Sequence, residues 1–540
     1  MSEDPTDNIH LQQLFKDAHA EHQAGRLDAA TSGYRKVLEL SPKHFDALQM
    51  LGLVAFQQGQ INQGIGLVLQ AIAVRPDQFG PYANLSKAYQ MQGKLVDALG
   101  AIDRAISLKP DHALNYSNRA VLLRDMQRHE ESLASSEQAI ELDERMLEAN
   151  FSRILALQEL GRHSDALEDC DRLLTRYPDH ARAHGLRGLI LMSNMTDLDS
   201  AMGEKRMIVE SIDSYRFSLQ LDPDNPETHR NLGIALLLKG DYEEGWGHYE
   251  WRLKLPAYKA KESAFHQPLW AGDTDLKGKT ILLYAEQGYG DTIQFCRYAP
   301  LVAALGARVV LQAPPALLPL LGELPNVLTI GEGLPVPECD CRCPLMSLPH
   351  RFSARLENLS SQTSYLAANT AKRDYWQRKL GTKTLPRIGL VWSGNPNHRN
   401  DHNRSMPLQG LLDAIPDGFD LFSLQKQARE EDVVNIGQNA PFRHFGDDLQ
   451  DFADTAALVS LMDLVITVDT SVAHLSGALG IPTWIMLPYV PDWRWMLNRD
   501  DSPWYPSVRL FRQAATGQWP TVLTSIALEL GKHPFKSSPQ

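Results

Sequence analysis

The 540-residue chain is poor in cysteine and has no excess of positive charge. Its five cysteines, Cys170, Cys296, Cys339, Cys341 and Cys343, are odd in number and sparse, which fits a reducing compartment rather than a disulfide framework. The last three stand in "CDCRC". Their one-residue spacers differ from the usual C-x2-C pair and no histidine pair follows, so no metal site is expected. The formal charge of −13 argues against a general binder of nucleic acid or anionic membrane, both of which need a basic surface. One local basic pocket for a small anion remains open. Long apolar runs are also missing: no uninterrupted stretch reaches the roughly 18 residues of a membrane span. The opening segment, "MSEDPTDNIHLQQLFKDAHAEH", lacks the basic start and apolar core of a signal peptide, so a cytoplasmic location is the expectation. Against these absences, 43% of the residues are hydrophobic and the mean hydropathy is −0.30, as in a globular protein. The length exceeds one core and implies three or four structural units.

The first half is periodic. Gly25, Gly59, Gly93 and Gly161 lie 34 residues apart or at a multiple of it, with Gln127 in the missing slot. Pro42, Pro76, Pro110 and Pro178 keep the same period, with Glu144 in the gap. So do the small residues Ala30, Gly64, Ala98, Ser132 and Ala166, and the series Val37, Ala71, Ala105, Ala139 and Leu173. This is the tetratricopeptide pattern: small residues let two antiparallel helices pack closely, and proline ends one unit and starts the next. A sixth unit begins near Ala181 and resumes at "SIDSYRFSLQLDPDNP" after an insertion at 196–205. A seventh runs on from Pro226. The array, an α-solenoid of about seven units, is therefore expected over residues 11–255. Its concave groove is expected to bind a protein or peptide; a spacer or dimerisation element is the alternative.

Beyond Arg252 the helical stripe is lost, and residues 256–276 read as a linker or docking segment. Short apolar runs then alternate with helical patterns: "TILLYA" (280–285), "ARVVLQA" (307–313), "NVLTI" (326–330), "RIGLVWSG" (387–394), "DLFSLQ" (420–425), "DLVITVD" (463–469) and "PTWIML" (482–487). Such alternation predicts parallel sheets covered by helices, here as two Rossmann-like lobes at about 277–375 and 386–535. Ligands of such lobes sit at the carboxyl ends of the strands. Two near-motifs are set aside. "GDTDLKGKT" has the wrong glycine spacing for a phosphate loop and precedes its strand, and Asp273-Thr274-Asp275 lies before the fold begins; both read as turns.

Three stretches can carry chemistry. In "ILLYAEQGYGDTIQF" (281–295) a strand enters a turn with Gly288, Gly290 and Asp291. In "DLVITVDTSVAHLSGALGIPT" a strand ends at Asp469, and Thr470 or Ser471 caps a helix that carries His474. A helix N-terminus with free N–H groups is a ready anion site, or it is an ordinary capped helix with a structural histidine. In "VWSGNPNHRNDHNRSMPL" (391–408) a strand opens into a polar loop with Asn395 and Arg404, and guanidinium binds phosphate in a bidentate way. Gln425 and Lys426 stand just past another strand. The Trp- and Arg-rich segment 492–513 reads as packing or as the floor of a sugar or base pocket.

The "GYGD" turn, the "RSMPL" loop and "DTSVAHLSGALGIPT" resemble the heptosyltransferase-type family 9 glycosyltransferases. That resemblance implies a GT-B fold with a nucleotide-sugar between two Rossmann lobes. The whole chain is similar to bacterial proteins that fuse tetratricopeptide repeats to such a domain, an architecture shared with the O-linked N-acetylglucosamine transferases. Carried over, Asp291 matches the family's catalytic base, Arg404 falls near a cationic residue that binds donor phosphate, and Asp469, Thr470, Ser471 and His474 match the donor-binding block. Family members often have glycine where this chain has Ser471. The implied activity is inverting glycosyl transfer with no metal and no cofactor beyond the nucleotide-sugar donor. The alternative is a non-catalytic repeat scaffold with a degenerate nucleotide-sugar-binding domain. A dinucleotide oxidoreductase is disfavoured because G-x-G-x-x-G with its following acidic residue is missing.

Overall fold

The computed structural model describes residues 5–194, 201–263, 265–359, 364–398, 400–438 and 442–532. Contacts divide the chain into two compact units, residues 1–190 and 191–540.

The first unit is helical throughout. Helices of 13 residues (Phe45–Gln57, Phe79–Met91, Ala113–Asp125, Leu147–Glu159) alternate with helices of 14 (Leu27–Leu40, Ile61–Val74, Leu95–Leu108, His129–Leu142, His163–Arg176). The turn inside each pair needs a left-handed residue. Gly25, Gly59, Gly93 and Gly161 supply it at φ of 73° to 75°, and Gln127, which replaces glycine in the fourth unit, takes φ 60° at the same place. The small-residue series is fully buried at Ala30, Ala98, Ser132 and Ala166. Ser132 can stand in for alanine because its hydroxyl donates to the Ala120 carbonyl at 2.7 Å.

The second unit starts with the remaining repeat helices, Ala201–Leu221, Pro226–Lys239 and Tyr242–Tyr249, followed by a short 3-10 segment, Glu250–Lys254. Of the expected insertion, residues 196–200 lie outside the described residues, and 201–205 open the first of these helices. The stretch expected as a linker or docking segment holds a seven-residue helix, Pro256–Glu262, begun by proline at its first position.

Two parallel sheets follow. The first has the order β3-β2-β1-β4, from β1 (Thr280–Tyr284), β2 (Arg308–Ala313), β3 (Val327–Gly331) and β4 (Cys341–Pro344). The second has the order β10-β9-β8-β5-β6-β7, from β5 (Arg387–Val391), β6 (Asp420–Ser423), β7 (Phe442–His444), β8 (Leu464–Val468), β9 (Thr483–Leu487) and β10 (Val508–Arg512). All described pairings are parallel. Seven strands match the apolar runs; β4, β7 and β10 do not. β4 takes up the last three residues of "CDCRC", paired Ile281 to Cys341 and Leu283 to Cys343, with both cysteines buried. The alternation of small apolar thiols with charged residues is strand periodicity. β7 is three residues long, and β10 is an edge strand whose two arginines mask its apolar pattern.

Each sheet reverses its order once, at β1/β4 in the first and β5/β8 in the second. Crevices at such reversals are where open α/β sheets bind ligands. Ile281 and Leu283 face a core that also holds Trp246 of the last repeat and Trp493 and Trp504 of the chain's final segment. No helix among the described residues is long and apolar enough to cross a membrane.

Close helix packing in the last repeat gives a direct test. A Cβ on Gly233 would lie 2.6 Å from the Tyr249 nitrogen and 3.0 Å from the Gly245 carbonyl, so backbone would have to move. Gly233→Ala should destabilise its unit by roughly 1–3 kcal/mol through overpacking. Gly66→Ala, on a helix with open space around the new methyl, should stabilise by roughly 0.5–1 kcal/mol through helix propensity. The shifts in urea midpoint should have opposite signs.

Candidate functional site

The two turns singled out above leave their sheets at the reversal points and meet. β1 exits through residues 285–288 into the helix Tyr289–Phe295; β8 exits through Asp469 and Thr470 into the helix Ser471–Ala478. A Cβ on Gly290 would lie 2.9 Å from Cδ2 of His474 and 3.6 Å from the Cα of Ser471, so only glycine allows this approach. Gly288 has no such constraint: its φ is −74°, and an added Cβ would find only the Asp291 carboxylate, at 3.4 Å.

Asp291 is the third residue of its helix. Its Oδ2 accepts the Gly288 backbone N–H at 2.8 Å, which satisfies one orphan donor of the helix start. Its Oδ1 accepts from Nη2 of Arg494. A helix start favours the charged carboxylate, yet the carboxyl is raised above its ordinary range, because loss of solvent outweighs the Arg494 guanidinium and the Gly288 N–H. Arg494 itself is buried. Its Nη1 donates to Asp492 at 2.8 Å and its Nε to the side-chain Oε1 of buried Gln294 at 2.6 Å. It belongs to the Trp- and Arg-rich segment, but nothing in the local pattern distinguished it from its neighbours.

Arg404 lies at the same end of β8, donating from Nη1 to the Asp469 carbonyl at 3.1 Å. It passes so close to Gly394 that a Cβ there would meet Nη2 at 2.6 Å. Asp401, buried, takes a hydrogen bond from Arg429 and one from the Ser405 hydroxyl at 2.8 Å, and its Oδ1 lies 3.5 Å from Arg404 Nε. Asp401 and Arg429 thus brace the arginine, a role the sequence alone did not signal. Thr470 is the N-cap residue, with extended backbone, yet its side chain makes no cap hydrogen bond; its hydroxyl pairs with that of Thr467 at 3.3 Å. The free N–H groups of the helix start are therefore not taken up by the Thr470 hydroxyl.

His474 is 5% exposed, stacked on Trp495 with ring centroids 5.3 Å apart, and its Nδ1 lies 3.0 Å from the Tyr505 hydroxyl. Burial, with Arg494 and Arg297 nearby, holds it well below the usual histidine range, so it is neutral. Asp291, Gly290, Arg404, Asp469, Thr470, Ser471 and His474 are thus gathered at one place. Gln425, Lys426 and Asn395 are engaged locally. Gln425, buried, accepts the Trp392 and Ser393 N–H groups at 3.3 Å each and ties the end of β6 to that of β5. Lys426 donates to the Gln450 carbonyl at 3.1 Å, and the Asn395 side chain accepts from the Asn397 N–H at 3.0 Å. Arg399 of the same loop lies outside the described residues.

Asp469 is pushed up to about 6, chiefly by burial and then by the Asp492 charge, with Arg404 and Arg494 opposing. A raised folded-state value means that the folded form binds the proton more tightly than the unfolded chain. The stabilisation is complete below about pH 4 and is lost as pH rises through about 6. Asp469→Asn should therefore be more stable than the parent by roughly 1–2 kcal/mol at pH 7.5, with no gain at pH 4. Paired unfolding curves at the two pH values measure this.

The tetratricopeptide repeat family model matches residues 49–113, 117–181 and 151–202. The chain is 26% identical to Protein FlbA of Caulobacter vibrioides over 392 residues, which cover 67% of this chain and 63% of that protein, so it spans less than two thirds of that relative. Among solved structures it is similar to a tetratricopeptide repeat protein from Parabacteroides merdae (14% identity, 47% of this chain and 94% of the other, TM-score 0.38). It is also similar to a thermophilic repeat protein of Thermus thermophilus (22% identity, 34% and 99%, TM-score 0.28). The N-terminal region is a tetratricopeptide repeat array, and the C-terminal region is a parallel-sheet α/β fold.

Proposed function

We propose that the α/β region is a GT-B glycosyltransferase that moves a sugar from a nucleotide-sugar to an acceptor hydroxyl, inverting and metal-independent, while the repeats recruit a protein partner or substrate. One observation carries this reading. The turns that leave both sheets at their order reversals meet within the width of one Cβ, and bring a carboxylate, a helix N-terminus and two arginines together.

Asp291 accepts the acceptor's hydroxyl proton as that oxygen attacks the anomeric carbon. The bond from that carbon to the diphosphate breaks, and its electron pair leaves on the phosphate oxygen. The N–H groups at the start of Ser471–Ala478, with Arg404 and Arg494, stabilise the charge that develops there. For Asp291 to serve, Arg494 must give up or share its carboxylate oxygen. Tetratricopeptide grooves bind protein or peptide segments, which favours such an acceptor or adaptor in the repeats. A second reading, a scaffold that binds nucleotide-sugars without turning them over, draws on the engagement of both Asp291 oxygens, by Gly288 and by Arg494.

A thermal-shift screen with UDP-, ADP-, GDP- and dTDP-sugars finds the donor, because ligand binding raises the melting temperature by mass action. With that donor, Asp291→Asn should lower turnover by about 10²–10⁴-fold while keeping the thermal shift. Parent turnover should rise with pH through the raised Asp291 value, since the base must be ionised. Undiminished turnover in Asp291→Asn sinks the assignment; a donor shift with no transfer or hydrolysis in the parent leaves the scaffold reading.

A further inference from the structure

The turn that carries Asp291 is not held by its own sheet alone. Glu286, the second residue after β1, is 6% exposed and takes two hydrogen bonds from Arg252: Nε to Oε2 at 3.3 Å and Nη2 to Oε1 at 2.6 Å. Arg252 is fully buried and all five of its donors are matched. The others go to the Tyr249 carbonyl (3.3 Å), Glu250 (2.8 Å) and the Ser347 hydroxyl (2.9 Å). Glu250 also holds Arg351 at 2.5 Å, so two carboxylates and two guanidiniums balance in charge, with Arg252 and Glu286 buried and Glu250 and Arg351 partly buried. The next residue, Gln287, donates from Nε2 to the hydroxyls of both Tyr249 (3.0 Å) and Tyr258 (2.9 Å). Lys261 donates to the Glu286 carbonyl at 3.1 Å. Thus every tie on the side chains of Glu286 and Gln287 comes from residues 249–258, the chain that leaves the last repeat, and Lys261 adds one to the backbone.

We infer that Arg252, Tyr249, Tyr258 and Lys261 are positioning residues for the turn 286–291, so that the exit of the repeat array, together with the α/β fold, sets where Asp291 sits. The physical case rests on cost. A buried guanidinium and carboxylate are retained only where their geometry and hydrogen bonds are complete, and loss of one partner leaves an uncompensated charge. Two glycines, Gly288 and Gly290, follow within four residues of Glu286 and leave the backbone free to wander. The anchor at 286–287 restricts it at the strand end, as the Gly290–His474 approach and Arg494 do on the helix side. A displacement of about 1 Å at a reacting group can cost about a hundredfold in rate, so the anchor matters to turnover if Asp291 is the base. That part of the inference rests on the function proposed above; the anchoring itself does not.

The test uses the full-length protein. Tyr258→Phe and Lys261→Met remove partly exposed ties and leave the core filled; Arg252→Lys keeps the charge but loses the fork. Hydrogen–deuterium exchange of a peptide spanning 285–295 should speed up by about five- to tenfold in each variant, with 464–487 unchanged, because local opening is read separately from global unfolding. With the donor found by thermal shift, kcat should fall by about tenfold or more with the donor KM unchanged. Exchange at 285–295 that stays at the parent rate in Tyr258→Phe and Lys261→Met overturns the inference. Faster exchange with parent kcat restricts the anchor to structure and overturns the positioning role. If Asp291→Asn retains full turnover, the functional reading fails while the exchange result still stands or falls alone.

Discussion

The close contact between Gly290 and His474 is the constraint on which the site depends. Two helix starts bring their orphan N–H groups to the same region, so the local field favours anions, yet Asp291, Asp469 and Asp492 stand there as well. Arg494 and Arg404 offset part of that negative charge. A neutral His474 at the contact adds no charge of its own. Desolvation raises both Asp291 and Asp469, so the arginines do not fully compensate the carboxylates they face. Under the proposed function, an incoming diphosphate competes with carboxylates for the same guanidiniums, and Arg494 is the group whose partners change most.

Buried arginines tie the second unit together. Arg252 binds the Asp291 turn to the end of the repeats. Arg494 binds it to the chain's last segment. Arg297 donates to the Gln294 carbonyl (2.9 Å), the Trp504 carbonyl (3.1 Å) and the Tyr365 hydroxyl (3.1 Å), so the same short helical stretch is bound to the connection between the lobes. A planar fork with several fixed donors can join three elements at once, which an ammonium cannot. Each of these arginines has carbonyl, hydroxyl or carboxylate partners, which is the condition for keeping such a charge out of water.

The repeats were legible because a 34-residue period leaves several independent marks, and even the exception, Gln127, falls into the same left-handed turn. Seven strands were legible as apolar runs. β4 was hidden because its inward residues are thiols, and a cysteine cluster draws a chemical reading before a structural one. Asp291, Asp469, Thr470 and Arg404, singled out by their position in turns beyond strand ends, lie together in the structure. Arg494 could not be found in that way, since it meets Asp291 across 203 residues of chain and no local spacing encodes that. Gln425 and Lys426 stand just past a strand, as expected, but their side chains are turned to Ser393 and Gln450. Position along a strand says which turn a residue belongs to, not which way its side chain goes.

Sequence periodicity marks a repeat boundary near residue 255, but burial does not respect it. A terminal repeat in a solenoid has one apolar face without a neighbour and ordinarily needs a polar capping helix. Here Tyr242, Trp246 and Tyr249 are 2%, 2% and 5% exposed. Trp246 donates its indole N–H to the Ala354 carbonyl at 3.2 Å and packs edge-on against Trp493 at 5.3 Å and Trp504 at 6.5 Å. The α/β region is therefore the cap of the last repeat. The cap also houses the Asp291 turn, and the residues that finish the solenoid, Tyr249 and Arg252, are the ones that hold Gln287 and Glu286. The hydrophobic requirement of the repeat and the placement of Asp291 are met by the same few side chains, so neither part can be altered at this seam without altering the other.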